Sequence, residues 1–237
     1  MILFRDRSGV SISAVLAGIL LGACAPAASA PGTTSLVPSP DPRIGLAPGI
    51  GNDAGQAAWN LDLVAHVPRP PAFTNPNDPF DFDFGNTDMA FQGDVLFVGS
   101  YHGVQIYDIS DPTRPRLRTA IVCPGGQGDL SVYRNLLFMS VEEPRGRVDC
   151  GTQGAPGAVN PERVLGIRIF DISDLDTPRQ VASVQTCRGS HTHTLVTDPN
   201  DAQNVYIYVS GTGPSRSEQE LPGCRGVHWR QDPGTAF

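Results

Sequence analysis

The sequence has no stretch rich in lysine or arginine, and only 17 % of its 237 residues are charged, 24 acidic against 17 basic. A chain of formal charge −7 with no basic run is unsuited to neutralising a phosphate backbone, which excludes nucleic acid as a partner. Past residue 60 no segment keeps a 3.6-residue apolar period over a useful length, so long helices are not expected. There is no Gly-x-Ser-x-Gly, no P-loop and no Gly-x-Gly-x-x-Gly opening a helix, which removes the common hydrolase and nucleotide-binding signatures. No Cys-x-x-Cys pair is present either.

The apolar run from Val10 to Leu21 is too short to cross a bilayer comfortably. It follows Arg5 and Arg7 and precedes Gly22, Ala23 and Cys24, the layout of an export signal. "LGAC" resembles the bacterial lipobox, in which the cysteine becomes the lipidated first residue, so residues 1–24 read as a signal peptide with Cys24 as the lipid anchor. The alternative is simple secretion, with cleavage after Ala28–Ala30 and Cys24 discarded. Both place the chain outside the cytoplasm: a membrane-anchored lipoprotein of the bacterial envelope, or else a periplasmic or secreted protein. Residues 25–57 are dominated by Ala, Pro, Gly, Ser and Thr and cannot bury enough apolar surface to offset their ordering entropy. They read as a flexible tether to a domain spanning 58–237.

Within that domain the period is two. "DVLFVGS", "GVQIYDIS" and "RLRTAIVC" are short β-branched and aromatic runs separated by Gly, Asp-Pro and Thr-Arg-Pro turn signals. The fold class is all-β. "VQIYDISDPTRP" (Val104–Pro115) returns as "IRIFDISDLDTP" (Ile167–Pro178), and "DMAFQGDVLFVGS" at Asp88 matches "DLSVYRNLLFMSV" at Asp129. "HTLVTDPNDAQNVYIYVSG" at His193 opens a third copy. Four strands in about 40–45 residues is the size of a propeller blade, so four-stranded antiparallel blades are expected. The repeated phrase follows turn mechanics. Ile106, Tyr107 and Ile109 are strand residues, two of them on one face. Asp108, Ser110 and Asp111 offer oxygens to backbone N–H groups where the chain reverses, and Pro112, Pro115 and Pro178 end the strands.

The two phrases resemble the LVIVD repeat of secreted and lipid-anchored bacterial proteins. "CPGGQGDLSVYRNLLFMSVEEPRGRVDCG", "GIRIFDISD" and "VQTCRGSHTHT" extend the likeness from about Asn60 to the C-terminus. The resemblance implies a β-propeller and supplies little about activity. Such proteins usually continue for more blades, whereas this chain stops at "DPGTAF" within its third. A partial propeller of about three blades is the expectation, a C-terminally truncated fragment in which Trp59–Val67 is an orphan outer strand awaiting partners from the C-terminus.

Cys123, Cys150, Cys187 and Cys224 allow three pairings. Cys123 and Cys187 end equivalent outer strands, while Cys150 and Cys224 lie in equivalent long loops, so shifting a 123–150 bond by one repeat produces 187–224. A 123–187 bond would join equivalent positions on adjacent blades, too far apart for disulfide geometry. A Cys₄ zinc site is the rival reading, disfavoured by export to an oxidising space.

Chemistry concentrates in "RGSHTHT" (Arg188–Thr194), where His191 and His193 share one strand face. His193 aligns with Asp88 and Asp129 at the start of each innermost strand, a ring in which these four residues would ligate a divalent metal ion or a polar ligand. The competing reading is structural: aspartates at strand starts cap backbone. Ser190 beside His191 is no catalytic dyad, because adjacent strand residues face opposite ways, and Tyr101-His102-Gly103 reads as an ordinary turn. "DPFDFDFGNTD" (Asp78–Asp88) loosely resembles a calcium loop but lacks the EF-hand glycine and ligand spacing; its alternation suggests an extended segment with one apolar face. The polar insert Glu142–Leu165 is either a recognition loop or a cap on a blade edge. The favoured reading is a non-enzymatic scaffold binding a protein, glycan or small molecule, held at the membrane by its lipid. The alternative is a metal-binding propeller enzyme whose His/Asp site is completed by further blades; a purely structural surface module is a third.

Overall fold

A computed structural model describes residues 2–6, 40–49, 54–78, 80–228 and 230–233. The chain divides into two compact units, Met1–His66 and Val67–Phe237. In the first, β1 (Ile2–Asp6) pairs antiparallel with β2 (Leu61–His66), Phe4 opposite Leu63. A strand is thus present where one was expected at Trp59–Val67. In the chain with its leader intact, "ILFRD" is the pairing partner of this strand. Cys24 and most of the leader and tether lie outside the described residues.

The second unit is all-β. Strands β3 (Asn86–Gln92), β4 (Val95–Ser100), β5 (Gly103–Asp108) and β6 (Arg116–Val122) form one antiparallel meander. β7 (Leu130–Tyr133), β8 (Leu136–Val141), β9 (Gly166–Asp171) and β10 (Arg179–Gln185) form a second of the same order. β11 (Thr192–Asp198) and β12 (Asp201–Ser210) make a two-stranded sheet.

The two meanders repeat each other down to the register. Ser100 pairs with Gly103 and Val95 with Asp108; Val141 pairs with Gly166 and Leu136 with Asp171. Each also carries a bulge at the same point, one extra residue opposite Ile106–Tyr107 in the first and opposite Ile169–Phe170 in the second. One core joins them, with Phe97, Val104 and Ile106 of the first clustered with Leu130, Leu137, Met139 and Phe170 of the second.

The strands bearing the repeated phrase are buried on both faces. Val104 and Ile106 lie in the shared core, yet Gln105 and Tyr107 are also buried. The opposite face is satisfied by polar bonds: the Tyr107 hydroxyl donates to Gln105 Oε1, and Gln105 Nε2 donates to Asn86. The equivalent of Gln105 in the second meander is Arg168, wholly buried. Its guanidinium donates to the carbonyls of Cys123, Pro124 and Arg147, and burial pulls its pKa down to about 10.

The phrase closes as its aspartates require. Asp108 Oδ1 accepts from both the N–H and the hydroxyl of Ser110, and Asp171 does the same for Ser173. One turn further on, Asp111 accepts from Thr113 N–H, and Asp174 from Asp176 N–H. Each phrase opens on a glycine for a steric reason. Gly103 and Gly166 sit at φ +140° and +138°, and a Cβ there would lie 2.0 Å from Ile121 O and 2.1 Å from Val184 O.

Within the segment 78–88 only its end, Asn86–Asp88 at the start of β3, is extended; residues 80–84 are not. Asp78 accepts from Phe80 N–H and Asp81 from Asp83 N–H, and these bends turn 82–84 into a 3₁₀ turn. Period-two alternation is overridden here by aspartates that bond their own backbone.

Candidate functional site

Equal-length loops run from each disulfide-forming outer-strand cysteine into the next sheet, Cys123 to Asp129 and Cys187 to His193. The bonds are Cys123–Cys150 and Cys187–Cys224, related by the repeat as expected, and they indicate an oxidising, extracytoplasmic location. No helix among the described residues is long and apolar enough to cross a membrane.

The three aligned residues Asp88, Asp129 and His193 form a chain of contacts from sheet to sheet. Asp88 Oδ2 accepts the backbone N–H of Leu130 at 2.8 Å, fastening β3 to β7. Asp129 Oδ2 accepts the backbone N–H of His193 at 2.8 Å, fastening β7 to β11. The carboxylates are thus engaged in backbone capping, the structural alternative to the metal ring. Asp129 Oδ2 also lies 3.0 Å from His193 Nδ1, and Ser140 Oγ lies 2.9 Å from the same nitrogen. Ser140 Oγ in turn contacts Ser190 Oγ at 2.9 Å, with both serines buried. Serine, histidine and aspartate meet here without forming a catalytic triad, because Ser140 and Asp129 crowd one ring nitrogen instead of flanking both.

His191 is directed elsewhere. Its Nδ1 lies 2.5 Å from Glu142 Oε2, which also accepts from Thr212 Oγ1, while Glu142 Oε1 accepts from Gln127 N–H. Gln127 and His191 are equivalent positions of the two connecting loops, so Glu142 ties one loop to the next. The four expected metal ligands are not gathered: Asp129 and His193 meet, Asp88 caps Leu130, and His191 pairs with Glu142. Among the described residues no group of three or more His, Cys, Asp or Glu side chains is placed to hold a metal ion. In the calcium-like stretch Asp81 accepts from Asn75 and Asp83 N–H, and Asp83 pairs with Arg145.

The insert 142–165 is pinned from within. Arg163 is buried, ion-paired with buried Glu220, and donates to the carbonyls of Pro144, Ala155 and Gly157. Cys150 anchors the insert to Cys123, and Arg168 holds Arg147 O. A groove of about 380 Å³ opens on the insert between Pro144–Arg145 and Gln153–Gly157. At its margin Arg145 pairs with Glu143 and Asp83; burial raises the Glu143 pKa, and burial followed by the Arg145 charge lowers that of His102.

Arg163, Glu220, Glu142, Ser140 and Arg168 escaped the sequence reading as functional or positioning residues. Only Arg168 had a signal: it occupies the variable position of the repeated phrase, where Gln105 stands in the other copy. No family model, curated protein or solved structure matches the chain.

Proposed function

We propose that this chain is an envelope protein of the LVIVD-repeat β-propeller type, a binding scaffold whose recognition surface is the insert 142–165. One observation carries the reading: the insert has little regular structure of its own, yet it is held rigid by a disulfide, by the buried Arg163–Glu220 pair and by carbonyls folded onto Arg163. Such rigidity lowers the entropy lost when a loop engages a partner. Two register-matched meanders linked through Asp88, the second linked in turn to the β11–β12 sheet through Asp129, support the blade reading. Residues 1–24 serve as the lipoprotein signal, Cys24 carries the lipid, and 25–57 tethers the domain to the membrane.

The reading is tested by immobilising the protein and a variant with residues 152–159 replaced by a Gly/Ser segment of equal length, then challenging both with envelope glycans and extract. An envelope component retained by the first and lost by the second supports the proposal; equal retention contradicts it. Palmitate incorporation that disappears in Cys24→Ser tests the anchor separately.

One observation favours the second reading, a metal-dependent propeller enzyme. His193 Nε2 is buried without a hydrogen-bond partner among the described residues. The carboxylate of Asp129 beside Nδ1 calls for a proton there, which leaves Nε2 presenting its lone pair, the orientation a carboxylate confers on metal-binding histidines. Zinc or manganese that co-purifies with the protein and is lost in His193→Ala would establish this reading over the first.

A further inference from the structure

Four consecutive carbonyls of the insert are occupied. Gly154 O accepts from Arg147, Ala155 O and Gly157 O from Arg163, and Pro156 O from Asn160 Nδ2. The amides of the same stretch are in the opposite condition. None of the backbone N–H groups of Gly154, Ala155 and Gly157 donates to another described residue, although Ala155 is only 4 % exposed. Buried N–H groups left without an acceptor are rare in folded proteins. Gly154 and Gly157 both have positive φ, +72° and +90°, the backbone state that lets neighbouring amides converge in anion-binding concavities.

These residues line the groove, and its lining includes two arginines and no aspartate or glutamate, in a chain with seven more acidic than basic side chains. Arg163 is spent on carbonyls and Glu220. Arg145 has Nη1 toward Asp83 and Nε toward Glu143, while its Nη2 has no acceptor. The groove is thus a site in which donors outnumber free acceptors.

We propose that this groove binds an oxyanion, the carboxylate or phosphate group of a small ligand, through the amides of Gly154, Ala155 and Gly157 with Arg145 as the charged partner. The proposal rests on the reading of 142–165 as the recognition surface and names the chemistry that it recognises. An acidic sugar or a peptide C-terminus presents a carboxylate; a phosphate ester presents the other group.

The test is a titration of the ¹⁵N-labelled chain, disulfides intact, with inorganic phosphate and separately with acetate, against chloride at matched ionic strength. Saturable shifts of the Gly154, Ala155 and Gly157 amides with either anion support the proposal, and the stronger anion identifies the source. Arg145→Gln should weaken the binding about tenfold, as loss of a charge-assisted contact does. Because the shifts are read in the unmodified protein, the test survives a poorly folding variant. Equal shifts with chloride, or none at these amides, overturn the proposal. If the anions fail while the loop-replaced variant still loses its envelope partner, the recognition loop stands and only its oxyanion chemistry falls.

Discussion

The carboxylate of Asp129 reaches across to His193, accepting its backbone N–H at 2.8 Å and lying 3.0 Å from its Nδ1. One repeat earlier Asp88 makes the same kind of bond to Leu130 N–H. β7 is therefore hung on β3, and β11 on β7. A residue at this position has a structural duty first. Any ligand role of His193 falls to the nitrogen that Asp129 leaves alone.

The glycines that open the repeated phrase are the most sensitive backbone positions. Gly103→Ala and Gly166→Ala each force a Cβ into a carbonyl of the neighbouring outer strand, and each should cost about 3 kcal/mol or more. Gly93 has φ +56° with open space around its Cβ, so Gly93→Ala should cost only about 1 kcal/mol. Urea midpoints for the three variants check the contrast.

Each disulfide closes a loop of intermediate length, 27 residues apart for Cys123–Cys150 and 37 for Cys187–Cys224. Loop-closure entropy assigns roughly 3–4 kcal/mol to each, so the Cys150→Ser and Cys224→Ser variants should lose similar amounts. Non-reducing peptide mapping checks the connectivity, and denaturation of each variant checks the energy.

Hydrogen bonds from Ser110 and ion pairing with Arg116 hold the Asp108 carboxyl down at about 2. Bonds from Thr113 and Arg114 do the same for Asp111. A carboxyl whose folded pKa lies below its unfolded value near 3.8 contributes stability that is complete above that value and lost as pH falls toward 2. Stability should therefore decline between about pH 4 and pH 2, and the decline should be shallower in Asp108→Asn. An unchanged pH profile in the variant would contradict the assignment.

Buried Arg168 titrates in the opposite regime. Burial lowers its folded pKa to about 10, below that of an exposed arginine, so its contribution improves as pH rises above 10 and is least favourable at all lower pH. Holding the charge costs about 3 kcal/mol by that shift, against about 1–3 kcal/mol for each of three carbonyls it would leave unpaired. The carbonyls win. Arg168→Leu should destabilise the protein at neutral pH by a few kcal/mol, measured by thermal or urea unfolding.

The all-β class, the repeat boundaries, the Asp-Ser turns and both disulfides were legible in the sequence, because all are local or are copied by the repeat. The Cys150 partner follows from shifting one bond along the chain by one copy. What escaped depends on contacts between segments far apart in sequence. Whether Asp129 faces a cation or an N–H is decided by where β11 lies against β7, and no period of the chain records that. Arg168 was hidden because alternation predicts one wet face on β9, whereas the loop of the Cys123–Cys150 bond covers it. The bend at 80–84 is not legible because aspartates alternating with phenylalanines carry the period of a strand face, although here they act as turn formers.

The inter-sheet bonds are tested most directly by amide hydrogen exchange of Leu130 and His193 in the intact protein and in two variants. The account predicts that both amides are protected, that Asp88→Ala exposes Leu130 while sparing His193, and that Asp129→Ala does the reverse. Protection that is unchanged in both variants, or lost at both amides in either, would contradict it.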